Sequence, residues 1–138
     1  MNKTIKRLIL FVTAIFAISL IMPNSSKAAT PVTDESSLLS AISSVSDGET
    51  ITLQNNITVT APIVIQKEII IDGNGYTITG SSDWTSTSGN QTMFTAQLSA
   101  GKLTLKNINL QNGPKYGVQS YDGATVILNN VSITGFKY

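Results

Sequence analysis

The amino-acid sequence predicts an all-β solenoid, in which short parallel strands stack coil upon coil behind a short N-terminal helix. Three observations predict it: short runs in which apolar and polar residues alternate, turn residues that separate these runs, and an internal repeat. The repeat places Leu103–Leu110 over Val126–Ile133 at an offset of 23 residues without a gap. Short strands alone are also typical of a sandwich or a barrel, so the repeat is what favours a solenoid.

Residues 1–28 have the three parts of a secretory signal peptide. Basic residues come first, namely Lys3, Lys6 and Arg7. The apolar run Leu8–Met22 follows, and Ser26 and Ala28 place small side chains at −3 and −1 of a cleavage after Ala28. The run is shorter than the ~20 residues that span a bilayer, although an uncleaved N-terminal anchor is the alternative. We therefore expect one domain at 29–138, secreted or on the cell surface, with no membrane span after cleavage.

The composition excludes several chemistries. The 138 residues contain no His and no Cys, which rules out a Ser-His-Asp triad, an imidazole or thiolate zinc site and a disulfide framework. After cleavage five Lys face eight Asp and Glu and no Arg remains, so a nucleic-acid partner is not expected. Ser, Thr and Asn supply 37 of the 110 residues in 29–138, and a surface rich in them can hydrogen-bond a carbohydrate or a host or cell-surface protein.

The helix is predicted at Ser36–Val45. Asp34 and Glu35 are residue types that suit a helix N-terminus, and Asp47-Gly48 ends the segment. Its apolar face is formed by Leu38, Leu39, Ile42 and Val45. After the helix, apolar or β-branched residues recur at every second position, which is the period of a β-strand. This pattern predicts short strands at the pairs Ile51/Leu53, Ile57/Val59, Ile63/Ile65, Ile69/Ile71 and Thr77/Thr79.

Each repeat unit is predicted to turn a corner at an asparagine. The apolar positions follow the pattern i, i+2, i+5 and i+7, so the inward side of the chain changes where Asn107 and Asn130 stand. Asparagine tolerates the left-handed conformation that a corner requires, and stacked asparagines can form an amide ladder. We expect both residues at the same corner of successive coils, in a structural role. With about one coil per repeat, the domain has room for about four coils.

These features together resemble the pectin/pectate-lyase-like right-handed parallel β-helix superfamily. The resemblance is carried by the opening helix, by Asp47–Leu53, by Ile69–Gly80 and by the repeated Leu-Thr-Leu-Lys-Asn-Ile-Asn-Leu. It implies a right-handed parallel β-helix whose N-terminal helix covers one end of the core. Within the superfamily the sequence looks most like the non-catalytic adhesive modules of secreted Gram-positive surface proteins, which implies binding or adhesion without catalysis.

The alternative is a Ca²⁺-dependent polysaccharide (pectate) lyase or its inactive remnant, and a third reading is a purely structural stalk. The superfamily members that cleave uronates resemble one another in holding Ca²⁺ with acidic residues and using Arg or Lys as the base, and a catalytic lysine must be desolvated. Three lysines are predicted at outward or turn positions: Lys102, Lys106 and Lys115. The carboxylates of Glu68, Asp72 and Asp122 converge only if the coil register brings them together, and two of them precede Gly, as in turns. We expect no catalytic residues and no cofactor, and the sequence does not support Ca²⁺.

Binding residues are predicted in and near the polar segment Gly80–Thr92, which breaks the strand pattern and is expected to project from the stack as a loop. Its Trp84, the only Trp of the chain, could stack on a sugar ring or pack against the coils, and the sequence favours neither; Asp83 and Asn90 add polar groups. Two tyrosines are further stacking candidates, although packing along the coil edge is favoured for them because aromatic side chains are usually buried: Tyr116 and Tyr121.

The C-terminal end of the solenoid is predicted to be uncapped. The residues that follow the strand at Val126–Ile133 show no helical pattern. An uncovered coil exposes apolar core and unpaired backbone. We therefore expect either a truncated portion of a longer protein or self-association through the open coil.

Overall fold

Short β-strands occupy most of the chain that the computed structural model describes, which comprises residues 27–99 and 101–137. Their parallel pairing builds a β-solenoid of about 5 turns with one short helix near the N-terminal end. The all-β solenoid expected from the repeat is therefore confirmed. The signal peptide expected at 1–28 lies almost wholly outside the described residues and stays a prediction.

The solenoid has three faces. The helix α1 spans Glu35–Ser44. The strands are β1 (Thr30–Val32), β2 (Glu49–Leu53), β3 (Ile57–Val59), β4 (Ile63–Ile65), β5 (Ile69–Asp72), β6 (Thr77–Gly80), β7 (Thr92–Gln97), β8 (Lys102–Gln111), β9 (Tyr116–Tyr121) and β10 (Thr125–Thr134). Sheet A covers two of the faces. Its first face is the stack β1, β2, β5, β8 and β10, and its second face is the stack β3, β6, β8 and β10. Strands β8 and β10 belong to both faces because each of them continues across the corner. Sheet B stacks β4, β7 and β9 on the third face.

The 23-residue repeat is the register between β8 and β10. Leu105 lies opposite Leu128 and Leu110 lies opposite Ile133, in a parallel pair without a slip. The alignment of the two segments, made on sequence alone, is thereby confirmed by the strand pairing.

The expected number of coils, about four, is one too few. Strand β1 precedes the helix and pairs with β2, with Thr30 opposite Ile51, and Glu49 lies opposite Ile69 in the next turn. These first turns are two to three residues shorter than the repeat, and β1 has only 3 residues. The expected number assumed one coil per 23-residue repeat, and these shorter turns let the same length of chain complete one more.

The apolar residues at every second position of the strands point into one continuous core. The side chains that are essentially inaccessible to solvent include Ile51, Leu53, Ile65, Ile69, Ile71, Ile78, Phe94, Leu103 and Leu105. Each turn supplies a single layer of these side chains, so the turn above and the turn below complete its burial.

Helix α1 closes the N-terminal end of this core. Asp34 is its N-cap: the Ser37 N–H donates to the Asp34 carboxylate at 2.8 Å, and the Asp34 N–H donates to the Ser37 hydroxyl at 3.1 Å. At the other end Lys67 Nζ donates to the carbonyl oxygens of Ser43 and Val45 at 2.8 and 2.9 Å, where a cation is favoured. The face turned to the core consists of Leu38, Ala41 and Ile42.

The helix prediction needs two corrections. Its bounds, Ser36–Val45, lie one residue too late at each end. Leu39, expected on the apolar face, is 43% exposed because it follows Leu38 directly and successive helical residues point about 100° apart.

The opposite end of the solenoid is open. Within the described residues no helix covers β10, and Leu128 and Ile133 are 47% and 40% exposed. No helix in 27–99 or 101–137 has the length and hydrophobicity that crossing a membrane requires.

Candidate functional site

A ladder of polar side chains follows the corner that was predicted at the asparagines. Asn130 Nδ2 donates to Asn107 Oδ1 at 3.0 Å, and Asn107 Nδ2 donates to Asp72 Oδ1 at 3.3 Å. Asn107 and Asn130 have φ angles of 50° and 55°, in the left-handed region. The expected place of both asparagines at one corner of successive coils is confirmed, and their amides are used within the ladder.

The ladder begins with an ionised carboxylate. Partial burial raises the pKa of Asp72, but the Asn74 N–H at 3.0 Å, Lys106 Nζ at 3.1 Å and the Asn107 amide outweigh this and lower the pKa overall. A carboxyl group with a lowered pKa is a poor general acid at neutral pH. Asp72 therefore acts as an acceptor that joins neighbouring turns.

The carboxylates do not gather into a metal site. Glu68 pairs with Lys102 at 3.4 Å, and Asp122 lies in the turn between β9 and β10. Among the described residues no three His, Cys, Asp or Glu side chains are placed to hold a metal. Ca²⁺ takes six to eight oxygen ligands, whereas the oxygens of Asp72 already accept from three donors. These residues do not fit the Ca²⁺ site of a polysaccharide lyase.

Four of the described lysines have partners of their own. Lys67 caps α1, and Lys115 Nζ donates to the Gly89 carbonyl oxygen at 3.3 Å. The side chains of Lys102 and Lys106 are 53% and 37% exposed beside their carboxylates, in agreement with the outward positions expected. A lysine that acts as a base must lose its hydration, and these contacts to solvent, carbonyls and carboxylates do not provide that.

The loop that joins β6 to β7 lies across the outer face of sheet B. In β7, Phe94 points into the core, so Met93 and Thr95 point outward, yet they are 0% and 2% exposed. Asn90 Nδ2 in the loop donates to Thr95 Oγ1 at 3.0 Å. The expectation that Gly80–Thr92 projects from the stack is therefore wrong, because the loop covers the outward side chains of β7.

The three predicted loop residues differ in their surroundings. Trp84 is 8% exposed, and its Nε1–H donates to Gln91 Oε1 at 2.6 Å. Asn90 Oδ1 accepts the Thr92 N–H at 3.1 Å, and Asp83 is exposed near the start of the loop. The indole thus holds the loop in place, and a stacking role for Trp84 would require the loop to open. All three binding roles stay predictions.

Strand β9 brings the two predicted tyrosines to the same sheet. Tyr116 lies opposite Thr92, where the loop ends, and Tyr121 lies opposite Gln97 at the other end of the strand. Tyr121 is 46% exposed, and its hydroxyl donates to Gln119 Oε1 at 3.3 Å. Gln119 also accepts from the Thr92 hydroxyl. The sequence reading missed Gln119, because its strand carries no period-two apolar pattern.

The loop between β6 and β7, together with outward side chains of β7 and β9, forms an uncharged polar surface. We define the loop face as the loop residues Thr85–Asn90 together with Gln97, Gln119 and Tyr121. All loop residues of this set are exposed, and its side chains carry hydroxyl, amide and phenol groups only. Such a surface can donate and accept hydrogen bonds and can stack on a sugar through Tyr121, but it offers no paired carboxylates for acid–base chemistry.

A family model described as "Putative pectate lyase-like adhesive domain" matches residues 29–137. The chain belongs to this family. Neither a comparison with curated proteins nor one with solved structures gave a match. The match confirms the resemblance to pectate-lyase-like adhesive modules.

The adhesive domain has a second uncharged surface, on sheet A. Thr58, Thr79, Gln111 and Thr134 stand opposite one another on four successive strands. They point away from the core, since their neighbours Ile78 and Leu110 are buried. Hydroxyl and amide groups therefore repeat along this face at the spacing between strands, about 4.8 Å.

Proposed function

We propose that this chain is a secreted or cell-surface binding module that adheres to a neutral glycan or a surface protein without catalysis. The observation that carries the proposal is the loop face, an exposed and uncharged set of hydrogen-bonding groups on a domain of an adhesive family. Secretion is supported by the signal-peptide pattern of 1–28, which ends where the family match begins.

The chemistry of the loop face favours a neutral ligand. Its hydroxyls and amides match the hydroxyl groups of a polysaccharide, and the exposed ring of Tyr121 offers an apolar surface to the C–H face of a sugar. Residues 29–138, which would remain after cleavage of the proposed signal peptide, have five Lys and eight Asp and Glu, a net charge of −3. An anionic ligand such as polygalacturonate would be repelled weakly rather than steered toward it.

The contacts of the charged residues support binding without cleavage. Asp72, the acidic group of the corner ladder, is hydrogen-bonded and paired with Lys106, and Lys67 donates to carbonyl oxygens at the end of α1. A lyase needs a desolvated base near a bound cation. Asp72, Lys106 and Lys67 instead make hydrogen bonds and ion pairs that stabilise the solenoid.

The test is binding to an array of neutral polysaccharides and extracellular-matrix proteins. We expect the chain to bind at least one of these ligands, and the double variant Gln119→Ala/Tyr121→Ala to bind it at least about tenfold more weakly. Leu39→Ala is the matched control, because Leu39 is 43% exposed on α1 and outside the loop face. Failure to bind any ligand on the array, or an equal loss in both variants, would contradict the proposal.

A further inference from the structure

The second face of sheet A repeats one short motif on three of its strands. In β6, β8 and β10, an apolar residue that points inward stands between two outward residues with hydroxyl or amide groups: Thr77-Ile78-Thr79, Asn109-Leu110-Gln111 and Ser132-Ile133-Thr134. Thr58 of β3 adds a further outward group opposite Thr79. Because the register has no slip across these strands, the outward groups form two ranks along the solenoid. We call these seven outward side chains the hydroxyl–amide array.

The array has a regular geometry. Successive groups of one rank lie about 4.8 Å apart, the distance between strands, and the two ranks lie about 6.7 Å apart, which is twice the rise per residue of a strand. Four of the seven side chains are threonines, whose β-branch restricts rotation about χ1. The array therefore holds its groups in place and loses little side-chain entropy when a ligand binds.

The polar groups of the array have no partners within the protein. Elsewhere the polar side chains bond to one another: Asn130 donates to Asn107 at the corner, and Asn90 donates to Thr95 under the loop. None of the seven side chains of the array makes such a bond to another described residue. Their donors and acceptors are therefore free to bind groups outside the molecule.

The absence of charge in the array limits the chemistry of its ligand. The first face of sheet A carries two ion pairs, Glu68 with Lys102 at 3.4 Å and Asp72 with Lys106 at 3.1 Å. The array carries hydroxyl and amide groups only. These groups both donate and accept hydrogen bonds, which suits a neutral ligand with many hydroxyl groups, and they give no electrostatic attraction to a polyanion or a cation.

We propose that the hydroxyl–amide array is a second carbohydrate site, which binds the ordered surface of an insoluble neutral polysaccharide. The extended chains of such a solid present hydroxyl groups at regular intervals in two directions, as the array does. Sites for single small molecules are concave, whereas the array lies on an open sheet face. One hydrogen bond adds little net free energy, so a short soluble oligosaccharide that reaches few groups should bind weakly. The inference rests on the proposed function only for the class of ligand, since its residues lie outside the loop face.

The test is the adsorption of the chain on microcrystalline cellulose and on crystalline chitin. We expect saturable adsorption on at least one of them, without competition by soluble oligosaccharides of the same polymer. Thr79→Lys/Thr134→Lys should weaken it at least about tenfold, because two long charged side chains interrupt the array. The matched control is Thr50→Lys/Thr104→Lys, since these threonines point outward on the first face and are likewise separated by one strand. No adsorption, effective competition, or an equal loss in both variants would overturn the proposal.

The loop-face variant Gln119→Ala/Tyr121→Ala separates this inference from the proposed function. We expect it to lose less adsorption on the crystalline solids than Thr79→Lys/Thr134→Lys loses. If it loses as much or more, the loop face is the glycan site, and the second site is refuted while the proposed function stands.

Two further measurements complete the test. Gln111→Ala changes a single outward side chain and replaces the lysine variants if these do not fold; it should weaken adsorption at least about threefold, and unchanged adsorption would count against the array. Ice crystals grown in the presence of the chain should keep their ordinary shape. Shaped ice crystals without adsorption on either polysaccharide would assign the array to ordered water and overturn the carbohydrate site.

Discussion

Trp84 shows how one side chain can decide the position of a whole loop. The surrounding residues are polar, and the sequence alone leaves open whether the ring is exposed for stacking or packed against the coils. In the structure the ring is buried, and its one polar atom is bonded to Gln91, as buried indoles generally are. A large apolar side chain in a polar segment is better read as the point where that segment attaches to the body of the protein.

The fluorescence of Trp84 should therefore be that of a buried indole. We expect a blue-shifted emission maximum and slow quenching by acrylamide, both of which revert on unfolding in urea. The signal is unambiguous because the chain has a single Trp. A native spectrum that matches the urea-unfolded one would show that the loop stands away from sheet B.

Asp72 makes the stability of the corner dependent on pH. Its pKa is lowered in the folded state, from 3.8, so the stabilisation is present above that value and is lost as the pH falls through the folded pKa. Asp72→Asn cannot titrate, and its free energy of unfolding should fall less than that of the wild type when the pH is lowered from 5 toward 2 in urea melts. Parallel curves for the two proteins would contradict this account of the ladder.

At the scale of the element, the corners depend on close backbone contacts between turns. A Cβ atom at Gly73 would lie 2.4 Å from Ile108 Cβ and 2.5 Å from the Asn107 carbonyl oxygen. At Gly123 the space is open, but the φ angle of 77° is left-handed. The two glycines are thus required for different reasons, the first by packing and the second by conformation.

Substituting each glycine by alanine separates these reasons. Gly73→Ala should lower the free energy of unfolding by about 3 kcal/mol, since the turns must move apart. Gly123→Ala should cost about 1 kcal/mol, the penalty of a left-handed residue with a side chain. Urea denaturation measures both values, and a larger loss for Gly123→Ala would show that the turns are less tightly stacked than described.

The strands differ in how well the sequence predicts them, and the reason is burial. Strand β8, and β10 except at Ile127, alternate apolar and polar residues because one side of each strand faces solvent, and their register could be predicted to the residue. Strand β7 is buried on both sides, since the loop covers Met93 and Thr95, and its alternation disappears. Strand β1 is too short for any pattern.

At the scale of the whole molecule, the internal repeat predicts how the turns stack, whereas the candidate site lies in segments that do not repeat and could not be predicted. The equivalence of Asn107 and Asn130 is contained in the repeat, so the corner ladder could be predicted. The contact between the loop and sheet B joins segments that do not repeat, and Gln119 gains its place beside Thr92, where the loop ends, only through the pairing of β7 with β9. The candidate site is therefore a product of tertiary structure, which no local pattern in the sequence records.

The central claim is that this solenoid binds without cutting, and two parallel incubations of one protein preparation measure both properties. The chain is incubated with insoluble neutral polysaccharide, and separately with polygalacturonate and Ca²⁺, and both bound protein and unsaturated sugar product are measured. The account predicts protein retained on the neutral polysaccharide and no unsaturated product from polygalacturonate. Product that accumulates in proportion to the amount of chain added would contradict it.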